Sequence, residues 1–307
     1  MRRLRKSLST VRSRQMEGHY KVLPHYPIPP HIPKPFYFAT KGDAKYSSVY
    51  EGKPRCYPLD VQPKLRKAAR IAATALQNAL DCVKEGVTTD EIDRVVHTTI
   101  VEAGAYPSGV YFMGFPKSVC TSVNEVLCHG VPNLRPLQDG DSLNIDVTCF
   151  IDGVYGDNSD MAEVGTVNTA VHDLIEFTRN TVNKCIEQCK PGVKFSSLGE
   201  LCQLEAAKQG YGICDEFSGH GIGFNMHEPP AVLFIKNKVE YAMEPGMCFT
   251  IEPIFTLNPD YDMQIWEDGW TVVDAQGGVS AQAEHQILIT ESGCEVLTAR
   301  PIACNKC

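Results

Sequence analysis

The sequence predicts an α+β fold built from two pseudo-symmetric α/β halves, and three observations carry that expectation. The chain resembles itself at an offset of 106 positions: "KEGVTTDEID" from Lys84 falls on "KPGVKFSSLG" from Lys190, Gly104 on Gly210, and "LQDGDSLNID" on "MEPGMCFTIE". Long amphipathic helical patterns cover about residues 63–84 and 169–189, one in each half. The strand "SLNIDVTCF" meets "VYGDNSD" through Asp152-Gly153, a strong short-range signal for a two-residue hairpin. The regular β-α-β alternation that a parallel doubly wound sheet needs does not occur.

Before the repeat begins, residues 1–35 carry eight Lys/Arg against the single acid Glu17. The first fifteen, Arg-rich and free of acids, suit either an organelle transit peptide or a flexible basic tail. Six prolines between Pro24 and Pro35 remove backbone donors and fix an extended path, so this stretch reads as a polyproline-type arm, lying on the domain or solvated. The expected organisation is a basic tail and Pro-rich arm over 1–59, then one domain over 60–303 with half-repeats at about 60–165 and 166–300. Within each half a long helix runs to a glycine (Gly86, Gly192) and a short helix follows, opened in the first copy by the capping box Thr88/Glu91. A Gly-containing turn then leads into an apolar strand finishing in a carboxylate, Asp146 or Glu252.

Composition narrows the class. The 307 residues have a net charge of −8 with 43% hydrophobic and 21% charged residues, which is the balance of a soluble globular protein. No stretch approaches the ~18 apolar residues that span a bilayer, and a nucleic-acid binder that neutralises phosphates would show a basic face or domain. The 13 cysteines are odd in number and scattered through core-like segments, which is reduced intracellular usage. Cys304 and Cys307 stand at CxxC spacing, but a structural zinc needs four ligands and no second pair stands near, so no metal is assigned there.

The repeat aligns Asp146 with Glu252, and a lone acid on an apolar strand must neutralise or find a partner. If Asp152-Gly153 is a two-residue turn, residue i pairs with residue 305 − i. Asp157 then lies opposite Thr148, on the face of Asp146 and one diagonal step away, within range of a shared cation. His220 stands between glycines in "FSGHGIG", Glu252 in "FTIEPIF", and Glu284 enters an apolar strand in "SAQAEHQILI". Four carboxylates and one imidazole are too acidic for a structural zinc and suit two adjacent divalent cations clamping an attacking hydroxide. Ligand softness leaves Mn, Fe, Co, Ni and Zn open.

These segments, with "FPKSVCTSVNEVLCHGVP", "GHGIG…HEPP" and "DGWTVV", resemble the successive motifs of the type I methionine aminopeptidases over roughly residues 60–299. The resemblance implies the pita-bread fold, with antiparallel sheet inside and helices outside. It also implies metal ligands Asp146, Asp157, His220, Glu252 and Glu284, with Asp157 and Glu284 bridging. In the mechanism so implied, a metal-bridging hydroxide attacks the first peptide carbonyl and Glu252 shuttles the proton. His227 faces the oxyanion and His129 the scissile amide. The methionine pocket maps onto Phe112, Phe115, Cys120, Met226 and Trp270, an aromatic and sulfur lining suited to a thioether. Gly109, Met226 and "HEPP" depart from the usual family residues, which bears on pocket shape and leaves the ligands untouched.

The function expected from the resemblance is removal of the initiator methionine from nascent proteins whose second residue is small. Nascent chains are the partners, the ribosome a further one, with no direct nucleic acid or membrane contact and a monomeric chain. The location is cytoplasmic, or mitochondrial if the basic tail is cleaved. Two rivals share the fold. Peptidases that cut at proline usually carry a separate amino-terminal domain of over a hundred residues, for which the irregular start leaves no space. Non-catalytic binding modules have lost ligands that are all present here. Type II methionine aminopeptidases carry a helical insertion after the glycine-flanked histidine, where only six residues separate His220 from His227.

Overall fold

In the computed structural model, residues 20–300 are described; the basic segment 1–15 and the Cys304/Cys307 pair lie outside them. Two strands, β2 (Ser142–Ile151) and β3 (Val154–Glu163), form one long hairpin in the first half, with β1 (Cys120–Val123) on the other side of β2. The turn is the two residues read from sequence. Ile151 pairs with Val154, and both Asp152 (φ 54°) and Gly153 (φ 83°) adopt the left-handed conformation that matches the strand twist. In the second half, β6 (Cys248–Ile251) lies between β9 (His285–Ile289) and β4 (Gly219–Gly221), with β5 (Glu228–Val232) beyond β4. A smaller sheet adds β7 (Ile254–Thr256) against β8 (Ser280–Gln282). Every pairing is antiparallel.

Among the described residues, four α-helices cover these sheets: α1 (Gln62–Asp81) and α2 (Thr89–Glu102) in the first half, α3 (Thr169–Gln188) and α4 (Ser196–Gln209) in the second. Local chemistry sets their ends. Proline stands in the first turn of α1, the Thr88/Glu91 capping box closes on α2, Asn168 caps α3, and Gly210 ends α4 in the left-handed conformation. The long helices stop at Asp81 and Gln188, short of the glycines expected to end them. Gly86 and Gly192 instead shape the turn between helices: their N–H groups donate to Leu137 O (2.8 Å) and Met243 O (2.9 Å), equivalent bonds 106 positions apart. The isolated bridges Thr88 to Pro136 and Lys194 to Ala242 repeat at the same offset.

Alanines 68, 69, 72, 75 and 79 make the buried face of α1 small, which lets its backbone approach the hairpin. Gly156 completes the fit, because a Cβ there would stand 2.3 Å from the Ala68 carbonyl carbon. The arm packs onto this half. Ile32 and Tyr37 are fully buried, Tyr37 donates to Ser108 O (2.6 Å), and Lys34 Nζ donates to the Pro29 and Ile32 carbonyls. Buried Lys117 bridges Asp90 and Asp93 beneath the Tyr26 ring, tying the arm to α2. The eleven cysteines among the described residues are free thiols, and no described helix is long and apolar enough to cross a membrane.

Candidate metal centre and substrate cavity

A cavity of about 590 Å³ opens between the halves, and all twelve residues singled out from the sequence line it. The hairpin register places Thr148 opposite Asp157 and Asp146 opposite Ser159, so both acids face the cavity from one side. Asp146 sits in the middle of β2 and not at the strand end expected from its sequence, because the Asp-Gly turn lets the ladder run on to Ile151. Glu252 follows β6 directly, and Pro253, without a backbone donor, interrupts the strand there. Glu284 sits between β8 and β9, its N–H donating to Ser159 O at 2.9 Å, a bond that joins the two halves at the site.

Ligand atoms of Asp157, His220 and Glu284 all lie within 4.8 Å of one another. His220 Nε2 stands 3.4 Å from Glu252 Oε1 and 3.9 Å from Asp157 Oδ2. Its Nδ1 lies 3.2 Å from Gly221 O, so a proton on Nδ1 leaves the Nε2 lone pair directed at the acids. Asp146 completes the set from the same cavity wall.

Electrostatics separates this cluster from a solvated acidic patch. Burial, followed by repulsion from neighbouring acids, holds Asp146, Glu252 and Glu284 well above the usual carboxylate range, and burial pushes Asp157 up to about 7. Buried Glu284 Oε1 has no hydrogen-bond partner. Four converging acids, an orphaned carboxylate oxygen and a free imidazole lone pair fit divalent cations, which would neutralise the cluster. Burial also lowers His220 and His129 to about 4, and pulls His227 well below its ordinary value with help from its two histidine neighbours. All three imidazoles are therefore neutral at pH 7 and able to donate one hydrogen bond each.

Around the acids the wall is aromatic. Phe112 meets His227 edge-on at 5.3 Å, Phe115 meets Trp270 at 5.1 Å, and Trp270 lies 5.9 Å from His129. His129 holds φ 55°, a conformation that a non-glycine residue keeps only where its surroundings impose it.

Residues not singled out from sequence orient two of the acids. Thr148 donates to Asp157 Oδ1 (2.8 Å), Thr250 to Glu252 Oε1 (2.6 Å) and Gln282 to Glu252 Oε2 (3.3 Å). Each stands two positions from an acid on an otherwise apolar strand, hence on the same face, and that period-two spacing is the signal that could have found them. Phe217 against His129 (5.2 Å) and the arm's Val49 on the cavity wall left no such trace.

Antiparallel halves enclosing a buried carboxylate and histidine cluster define a metal-dependent hydrolase. A family model described as metallopeptidase family M24 matches residues 63–291. Methionine aminopeptidase 1D, chloroplastic/mitochondrial, of Arabidopsis thaliana is 45% identical over 76% of this chain and 67% of its own length. Methionine aminopeptidase 2 of Mycobacterium tuberculosis is 45% identical over 78% of this chain and 84% of its own. The crystal structure of methionine aminopeptidase from Rickettsia prowazekii superposes with a TM-score of 0.77 at 38% identity, covering 80% of this chain and all of that one. The chain belongs to metallopeptidase family M24, within its methionine aminopeptidases.

Proposed function

We propose that this chain removes the initiator methionine from nascent polypeptides whose second residue is small, using two divalent metal ions drawn from Co, Mn, Fe, Zn and Ni. The observation that carries this reading is the convergence of Asp157, His220 and Glu284 on one point beside Asp146 and Glu252, under an aromatic and sulfur-lined cavity. Asp146, Asp157, His220, Glu252 and Glu284 are the residues that would hold the ions. Bound ions supply an activated water and polarise the first peptide carbonyl.

The remaining work falls to the chain's own groups. Neutral His227 donates to the oxygen that becomes negative, and neutral His129 donates at the scissile amide. The Glu252 carboxylate, held by Thr250 and Gln282, accepts the proton of the attacking water and returns it to the leaving amine. Phe112, Phe115, Cys120, Met226 and Trp270 surround the methionine side chain, matching its polarisable thioether. The cytosol is the first place of action; the chloroplastic/mitochondrial relative favours an organelle as the second, with residues 1–15 as its address.

The test is cleavage of a Met-Ala-Ser tripeptide by protein stripped of metal and then titrated with Co(II) or Mn(II), with Leu-initial and proline-containing peptides alongside. Metal-restored release of methionine alone is expected. No release from folded, metal-supplied protein would sink the reading and turn attention to a binding role.

A further inference from the structure

The loop that carries Phe112 and Phe115 is a strained element. Tyr111 (φ 65°) and Met113 (φ 46°) both occupy left-handed conformations without being glycine, and Met113 is exposed on the cavity rim. Such backbone costs free energy and persists only where neighbours determine it from several directions. The loop's own hydrogen bonds are short-range: Phe112 N–H to Gly109 O, Phe115 N–H to Phe112 O, and Tyr111 N–H to Phe115 O. They close the loop on itself and leave its position over the cavity to be set from outside.

The arm supplies the outside contacts. The Tyr46 hydroxyl accepts from the Met113 N–H at 2.8 Å and donates to Gly42 O at 2.9 Å, so one phenol links the strained residue to the arm's own turn. The Tyr46 ring stands edge-on to Phe112 at 4.9 Å, and Tyr37 does the same from 5.4 Å. Gly42 (φ 96°) is pressed so close that a Cβ there would meet Gly114 N at 2.2 Å and Tyr111 O at 2.5 Å. His25 Nε2 lies 2.9 Å from the Tyr111 hydroxyl. A few residues beyond Tyr46, Val49 lines the cavity itself. Phe112 also meets His227 edge-on, at 5.3 Å.

The geometry points to Tyr46 as a positioning residue for the methionine pocket: the arm's 37–46 turn clamps the 109–115 loop and thereby sets where Phe112 stands. This rests on the proposed function for its substrate, while the clamp rests on the contacts alone. The pocket wall is then composite. A catalytic domain cut off at the end of the arm, near residue 59, would keep every metal ligand and lose the support of one wall.

Tyr46→Ala removes both the ring and the hydroxyl, and Tyr46→Phe removes the hydroxyl only. With Met-Ala-Ser as substrate and saturating Mn(II), Tyr46→Ala is expected to raise KM about tenfold with kcat within about twofold of wild type. Tyr46→Phe should fall between the two. Gly42→Ala, which displaces the turn while leaving Tyr46 intact, should reproduce the KM effect. Unchanged KM in Tyr46→Ala, or a fall in kcat that tracks a fall in thermal midpoint, would overturn the assignment. Hydrogen exchange separates the clamp from the activity. Faster exchange at the Met113 amide of Tyr46→Ala, with α1 unchanged, is expected, and equal exchange would overturn the clamp whether or not the wild type cleaves the peptide.

Discussion

The two halves share a plan and differ in how they deliver ligands. In the first, Asp146 and Asp157 stand on one uninterrupted hairpin whose ladder pairs ten residues with ten. In the second, the corresponding strand is broken at Pro253, and His220, Glu252 and Glu284 come from three short, separate segments. The stretch between Glu252 and Glu284 carries Trp270 and Ile265 of the cavity wall. Regular pairing fixes a ligand by register, so the first half is a platform. The second half gives up continuous pairing and gains an imidazole, two further acids and much of the cavity wall.

That contrast can be broken at its functional end first. Glu252→Ala and His220→Ala each remove a proposed ligand from the second half, and turnover of Met-Ala-Ser should drop by at least about a hundredfold. The hairpin platform is untouched by either change, so circular dichroism should remain that of the folded protein. Normal activity in either variant would refute the site assignment.

A smaller effect tests the platform. Gly153→Ala forces a Cβ into a left-handed turn residue that has open space around it, so the cost is conformational, roughly 1–2 kcal/mol. Gly192→Ala carries the same kind of penalty in the second half, at a turn that holds none of the clustered acids or histidines. Denaturant midpoints should fall similarly in both. Only Gly153→Ala should also weaken Mn(II) binding, measured by titration calorimetry, because Asp157 depends on that turn for its register. Equal metal affinity in the two variants would show that the ligands are held by something other than the hairpin.

What the sequence disclosed follows the same division. Asp152-Gly153 announces its own turn, and the turn dictates that Asp157 faces the cavity with Asp146; the 106-residue offset survives as paired backbone bonds at Gly86 and Gly192. These are local or repeated signals. Thr250 and Gln282 were legible only as polar residues two steps from an acid, and the composite pocket was not legible at all. Nothing near Tyr46 in the chain states that it will meet Phe112, because that contact depends on how a proline-rich segment lies across a finished domain. The long helices end before their glycines for a similar reason: Leu137 and Met243, far along the chain, claim those N–H groups for a turn.

The arm adds a pH response of its own. His97 of α2 is buried, with Nδ1 2.9 Å from the Ser118 hydroxyl and Nε2 3.2 Å from the Pro27 carbonyl of the arm. Tyr26 packs on its ring, and Lys117 and His25 add like charge nearby. Burial therefore holds its pKa below 6.5 in the folded state. The unfolded histidine takes a proton as pH falls below 6.5 and the folded one does not, so the contribution is complete above that pH and is lost as pH drops toward the folded value. Between pH 7 and 5.5 the thermal midpoint of the wild type should fall by no more than about 3 °C from this source. His97→Gln keeps a donor and an acceptor without the titration, and its midpoint should change less over the same range. Cleavage by a protease within residues 20–58 should accelerate at pH 5.5 in the wild type and not in the variant. Identical pH slopes for the two proteins would assign the acid sensitivity to another group and leave the arm's docking independent of pH.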